Sequence, residues 1–113
     1  MTDVVYVNEE EGKKRLMNNG KLYAKILAKF VADTSLDDLL ASAGSQEWEK
    51  AQAAAHALKG VAANLSLIEL FNQAAGLETQ IKGKSVNPGS LENLSACFTE
   101  TIAQVEMVIA QYA

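Results

Sequence analysis

Residues 46–65 read QEWEKAQAAAHALKGVAANL, and this stretch decides the fold of the chain. Its apolar residues recur at spacings of three and four, which is the period of one face of an α-helix. The pattern therefore predicts a long amphipathic helix that buries one stripe and leaves the opposite face open. The predicted stripe consists of Trp48, Ala51, Ala55, Leu58, Ala62 and Leu65.

Helical periodicity continues through the rest of the 113 residues. Only the short segment Val4–Val7 is rich in strand-forming residues, and Pro88 is the single proline, so we predict an all-α protein. Short loops between long helices favour an antiparallel up-and-down four-helix bundle with a short N-terminal helix, forming one domain over 1–113. The predicted helices are 8–19 at the N-terminus and 21–43, 46–65, 67–82 and 88–112 in the bundle.

Capping residues mark the predicted helix ends. Asp33–Ser35 interrupts the apolar stripe of the second helix, so we expect a bend or a break there. Ser66 followed by Glu69 forms a capping-box pattern, which predicts that the next helix begins at once and packs back antiparallel. The other predicted helix starts are at Asn8 with Glu11, at Ser45, and at Asn87 with Pro88. The other predicted helix ends are at Gly44 and Gly83.

Composition excludes several classes of function. The formal net charge of -4 disfavours nucleic acid as a partner. One histidine and the lone Cys97, without clustered carboxylates, predict no metal site and no disulfide. No run of about 18 apolar residues is present, and Met1–Tyr6 has no basic start typical of a signal peptide. We therefore expect a cytoplasmic protein without a membrane span.

The single histidine, His56, falls roughly 130° from the middle of the apolar stripe, so its imidazole is predicted to face solvent. Small residues on that face leave a smooth patch around the ring, which suggests a docking surface for another protein. Gln52 is placed to hydrogen-bond such a partner, although an ordinary solvated glutamine would look the same. The residues sharing this face with His56 are Glu49, Gln52, Ala53, Gly60 and Ala63.

Two neighbours of His56 point to phosphoryl chemistry. Gly60, one turn later, costs about 1 kcal/mol relative to alanine in a helix, and it lets another molecule approach the imidazole closely. Tight packing by a neighbouring helix is the alternative explanation. Lys59 shares a flank with His56, and its ammonium can neutralise a phosphoryl oxygen. An ordinary surface lysine is the alternative there.

Glu78 is predicted to lie at the same height as His56 on the following antiparallel helix. The two residues stand 12 positions after and 10 positions before the turn at Ser66. Glu78 can then accept a hydrogen bond from His56 Nδ1–H, which exposes a nucleophilic lone pair on Nε2. An ion pair of Glu78 with Lys82, four residues later, is the competing interpretation.

The stretch Ala55–Leu65, AHALKGVAANL, resembles the A-H-x-L-K-G-x-A-x-N-[IL] signature of histidine-containing phosphotransfer (HPt) domains of two-component phosphorelays. The similarity extends over about residues 8–112. It implies that His56 Nε2 accepts a phosphoryl group, that Lys59 supports this group, and that Gly60 leaves room for the partner. Glu78, 22 positions after His56, matches a residue that orients the imidazole in some members.

The resemblance also implies, less specifically, that Lys82 matches a basic residue found in some members. At the position of Ser66 many members of the family have glycine. The capping box explains the serine at the level of sequence. The partners implied are receiver domains of hybrid sensor kinases and of response regulators.

The resemblance implies a phosphocarrier rather than an enzyme, since no Gly-rich phosphate loop is visible. No cofactor is expected on this chain, and Mg²⁺ is expected on the receiver partner. A carrier that exposes one patch to two partners in turn is expected to be a monomer. Two alternatives remain open: a phosphoacceptor domain of a larger hybrid or chemotaxis-type kinase, and a non-catalytic module whose Ala/Gly face binds a partner helix.

Overall fold

A computed structural model of the protein describes residues 6–112. This part of the chain is all-α and contains no strand, so the predicted fold class is confirmed. The predicted domain limits at residues 1 and 113 lie outside the described residues, as do the first two residues of the Val4–Val7 segment. The helices are α1 (Glu9–Lys14), α2 (Gly20–Val31), α3 (Ser35–Gly44), α4 (Trp48–Leu65), α5 (Ile68–Lys82) and α6 (Pro88–Gln111).

The predicted helix over 21–43 is two helices, because the chain breaks after Val31 at the expected place. The Asp33 carboxylate accepts a hydrogen bond from the Ser35 backbone N–H at 2.7 Å, which offers the backbone an alternative to helical pairing. The predicted N-terminal helix over 8–19 is also shorter, since it ends at Lys14 and left-handed residues follow at Met17 and Asn18.

The prediction that Ser45 caps the next helix is wrong. Ser45 follows the last residue of α3, and Gln46 is left-handed, with φ 58°. As a result α4 begins only at Trp48, preceded by Glu47. The predicted caps at Asn8 and Asn87 are confirmed: their side chains accept hydrogen bonds from the backbone N–H groups of Glu11 at 3.1 Å and Gly89 at 2.8 Å.

The capping box predicted at Ser66 is also wrong. Ser66 is the left-handed residue that ends α4, with φ 58° and ψ 43°, and Leu67 precedes α5. Its hydroxyl donates to Glu11 Oε1 at 3.0 Å and accepts from Arg15. Glycine would suit this position because it lacks the Cβ that makes left-handed backbone unfavourable.

The helices pack in chain order. α4 contacts α3 on one side and α5 on the other, α5 contacts α6, and α6 returns to α2. The core is mainly aliphatic, and the buried Tyr23 hydroxyl donates to the Leu65 carbonyl at 2.7 Å. Held between two neighbours, α4 buries one stripe and leaves its opposite face open.

The N-terminal segment fixes the turn between α4 and α5. The Asn8 N–H donates to the Ser66 carbonyl at 2.9 Å, and the Ile68 N–H donates to the Tyr6 carbonyl at 3.1 Å. These bonds satisfy backbone groups that a helix end leaves unpaired. The turn sets the height at which α5 passes α4. Within residues 6–112, the helices all lack the apolar length needed to cross a bilayer.

Candidate functional site

His56 lies in the middle of α4 with 73% of its side chain exposed. The other predicted members of its face are exposed as well: Glu49, Gln52, Ala53, Gly60 and Ala63. The open face arises because the buried residues of α4 recur every three or four positions on the opposite side. The structure therefore presents the imidazole as the sequence predicts, on a helix whose own core contacts hold it in place.

Glu78 approaches the imidazole from α5, and its side chain is only 7% exposed. Its Oε2 atom lies 3.2 Å from His56 Nδ1. An ionised carboxylate can only accept hydrogen bonds, so the ring nitrogen in this contact is the donor. In the neutral imidazole the lone pair is then on Nε2. The predicted contact is present, while the role of Glu78 in orienting the ring stays a prediction.

Lys59 contacts the second oxygen of the same carboxylate. Its Nζ lies 2.6 Å from Glu78 Oε1, and its side chain is 28% exposed. The ammonium has three N–H donors, so this contact leaves others for a second acceptor, and the role of Lys59 on a phosphoryl group stays a prediction. Among residues 6–112, Lys59 and His56 are the basic side chains with a nitrogen within 4.0 Å of the Glu78 carboxylate, so the competing ion pair with Lys82 is not formed.

The pKa of Glu78 is lowered from its ordinary value of 4.5. The main cause is the hydrogen bond from Lys59, which outweighs the opposing effect of burial; the charges of Lys59 and Lys82 and the hydrogen bond with His56 act in the same direction. Glu78 is therefore ionised at neutral pH although it is buried. This keeps a negative charge against Nδ1 of an otherwise solvated ring.

Gly60 leaves open space beside the imidazole. A Cβ atom built on Gly60 would meet no described atom within 4 Å. The alternative explanation of this glycine, tight packing by a neighbouring helix, is therefore wrong for the described part of the chain. The role of Gly60 in admitting a partner stays a prediction.

An open depression beside the ring combines both helices. Lys82 of α5 lines it together with residues of α4. The full lining is Glu49, Gln52, Ala53, His56, Glu78 and Lys82. A second depression, between α3 and α4, shares Ala53 and extends to Ala57, Asp38 and Ala41. Sequence reasoning missed its α3 residues, because the helix that lies beside Ala53 is decided by packing. In the described residues, no three His, Cys, Asp or Glu side chains form a group that could hold a metal ion.

These features agree with one family of proteins. The family model of the Hpt domain matches residues 26–109, and the chain belongs to this family. Hpt domains act in histidine phosphotransfer in two-component signalling and interact with receiver domains in phosphorelays; they are phosphocarriers rather than kinases. Comparison with curated proteins gives no significant match, and comparison with solved structures gives none.

Proposed function

We propose that this Hpt domain carries a phosphoryl group on His56 Nε2, which it takes from an aspartyl phosphate of a receiver domain and passes to a response regulator. The observation that supports this most is the contact of the exposed imidazole with a buried carboxylate. An exposed ring is accessible to a partner, and the Glu78 contact at Nδ1 leaves Nε2 with the free lone pair.

The phosphoryl transfer requires no proton acceptor on this chain. The Nε2 lone pair attacks phosphorus, the bond from phosphorus to the aspartyl oxygen breaks, and the carboxylate leaves with the electron pair. The phosphorylated ring keeps its Nδ1–H and is positively charged, and the Glu78 carboxylate stabilises this charge. In the second transfer an aspartate oxygen attacks phosphorus, the P–N bond breaks, and Nε2 regains its lone pair.

The remaining chemistry is assigned to the partner and to two lysines. The receiver supplies Mg²⁺ and stabilises the charge on the transferring group. After phosphorylation, Lys59 supports a phosphoryl oxygen with a donor that Glu78 does not use, and Lys82 adds positive charge from the depression beside the ring. No cofactor bound to this chain takes part in the proposal.

The receiver is proposed to dock on the open face of α4. Gln52, Ala53, Gly60 and Ala63 surround His56 there, and their small or polar side chains permit close approach. A monomeric carrier in the cytoplasm fits this proposal, because the same face must contact a donor receiver and an acceptor receiver in turn.

The test measures the transfer of a radiolabelled phosphoryl group from a purified phosphorylated receiver domain to this protein. We expect a label on the protein that is lost in acid and stable in base, which is typical of phosphohistidine. His56→Gln, shown to be folded by circular dichroism, is expected to take up no label. Unchanged labelling of that variant would overturn the assignment.

The same experiment separates the alternatives. Labelling by a kinase ATP-binding domain, without labelling by any receiver, would favour the phosphoacceptor domain of a larger kinase. Absence of labelling from every donor, combined with binding of an isolated helical peptide to the α4 face, would favour a non-catalytic interaction module.

A further inference from the structure

Lys59 and His56 share one carboxylate, each on its own oxygen. Glu78 Oε1 accepts from Lys59 Nζ at 2.6 Å, and Glu78 Oε2 accepts from His56 Nδ1 at 3.2 Å. The carboxylate is buried, whereas the imidazole is mostly exposed. The shorter contact is the one to the lysine, so the ammonium in this structure is the counter-ion of Glu78.

We infer that Lys59, in the unphosphorylated protein, is the counter-ion that keeps Glu78 an acceptor and thereby holds the His56 proton on Nδ1. This makes Lys59 a positioning residue that acts through Glu78. The kinetic consequence rests on the proposed function, whereas the position of the proton can be measured without any phosphotransfer.

The physical reason is the cost of a buried charge. A carboxylate taken out of water without a cation tends to bind a proton. A protonated Glu78 would donate its O–H to Nδ1, and the ring proton would then sit on Nε2. That tautomer has no lone pair on Nε2, so the proposed nucleophile would be lost while the ring stayed in the same place.

The other charged groups near Glu78 do not replace Lys59. On α4 these are His56 and Glu49, and on α5 the nearby cation is Lys82. Lys82 is exposed and forms no ion pair with Glu78 among the described residues, so solvent screens its charge. Of the two lysines, Lys59 is the one whose Nζ lies within hydrogen-bond distance of the carboxylate, at 2.6 Å.

The direct test is nitrogen NMR of the His56 ring, which is unambiguous because the chain has one histidine. The neutral ring of the wild type is expected to keep its proton on Nδ1 between about pH 8 and about pH 6. In Lys59→Met, and in Lys59→Gln, the Nε2–H tautomer should grow as the pH is lowered. Lys59→Arg should keep the wild-type tautomer. Lys50→Met, at an exposed lysine of the same helix that pairs with Glu47, is the matched control and should also keep it.

Phosphotransfer adds a second readout. If Lys59 acts through Glu78, the labelling rate of Lys59→Met falls roughly tenfold more than that of Lys59→Arg between about pH 8 and about pH 6. If Lys59 only bound the phosphoryl group, Lys59→Met would be slower by the same factor at every pH.

The two proposals fail in different ways. Wild-type ring spectra in folded Lys59→Met and Lys59→Gln would overturn the role of Lys59, even if His56 were phosphorylated. A tautomer change in these variants, without phosphorylation of the wild type by any receiver, would support the role of Lys59 and remove the proposed function.

Discussion

His56 Nδ1 and Glu78 Oε2 lie 3.2 Å apart, although 22 residues separate them in the chain and they belong to different helices. The left-handed backbone of Ser66 reverses the chain between α4 and α5, so the two residues reach the same height. The contact joins an exposed ring to a side chain that solvent hardly reaches. Loss of this contact is expected to change the tautomer and reactivity of the His56 ring more than its exposure to solvent.

Glu78→Gln tests this contact with a side chain of nearly the same shape. The amide is neutral, and it can present either an oxygen or an N–H to Nδ1, so it does not select one tautomer. We expect phosphorylation of His56 by a receiver to slow by about 10–100-fold, because a hydrogen bond to a charged group contributes about 1.5–3 kcal/mol. Glu92→Gln, exposed on α6, is the control. A wild-type initial rate in Glu78→Gln would contradict the prediction.

Gly60→Ala separates folding from docking, and Gly76→Ala provides a matched control. Both glycines are exposed within helices, and an added Cβ would meet no described atom within 4 Å at either position. Each substitution should therefore stabilise the protein by about 0.5–1 kcal/mol in urea unfolding. Only Gly60→Ala should slow transfer from a receiver, because only Gly60 lies one turn from His56. Equal transfer rates in the two variants would show that the receiver does not approach Gly60.

Ser66 combines an unfavourable backbone with favourable hydrogen bonds. Ser66→Ala keeps the left-handed backbone and loses the bonds to Glu11 and Arg15, so it should destabilise the protein by about 1–2 kcal/mol. Ser66→Gly loses the same bonds but removes the backbone strain, which for a non-glycine residue is about 1–2 kcal/mol. We expect the glycine variant to be the more stable of the two in urea unfolding. The reverse order would mean that the backbone at this turn changes when the hydroxyl is removed.

Gly12 is required by a close approach of α1 to α2. A Cβ on Gly12 would lie 2.5 Å from the Tyr23 ring, which is fully buried and anchored through its hydroxyl to the Leu65 carbonyl. Gly12→Ala should therefore destabilise the protein by about 1–3 kcal/mol, as overpacked core positions do. Gly44→Ala, at the exposed end of α3, has free space and should change the free energy of unfolding much less. Thermal unfolding of both variants measures the difference.

Acid is expected to destabilise the fold through three carboxylates. The pKa of Glu9 is lowered mainly by the Tyr112 hydroxyl, that of Glu11 by the Ser66 hydroxyl, and that of Glu78 by Lys59, each from the ordinary value of 4.5. A carboxyl group whose pKa is lower in the folded than in the unfolded state stabilises the fold above pH 4.5. This stabilisation is lost as the pH falls through the folded pKa. Urea midpoints measured from neutral to acid pH should show this loss. Glu9→Gln should reduce its size, and an unchanged pH dependence in that variant would exclude Glu9 as a contributor.

Much of the site could be predicted from local spacing. The apolar stripe of α4 places His56 outward, because a helix turns by a fixed angle per residue and its buried side is set by its own sequence. Counting residues on both sides of the turn also placed Glu78 at the height of His56. These arguments use the geometry of one helix or of one helix pair.

Helix ends were predicted less well, since caps depend on contacts that are distant in the chain. Ser66 looks like the start of a capping box, yet its hydroxyl is used by Glu11 and Arg15 of α1. Ser45 similarly resembles a cap, but the chain needs Gln46 in a left-handed conformation to reverse before α4.

The sequence by itself determined an all-α chain, the outward position of His56 and the similar height of Glu78 on the next helix, because periodicity and chain reversal are local properties. Only the tertiary structure decided which cation neutralises Glu78. Lys82 is closer in sequence and at helical spacing, but Lys59 crosses from α4 and forms the ion pair at 2.6 Å. A buried carboxylate pairs with the cation that lies next to it in the folded protein. Which cation this is depends on how two helices pack, and the residue spacing within either helix does not predict that.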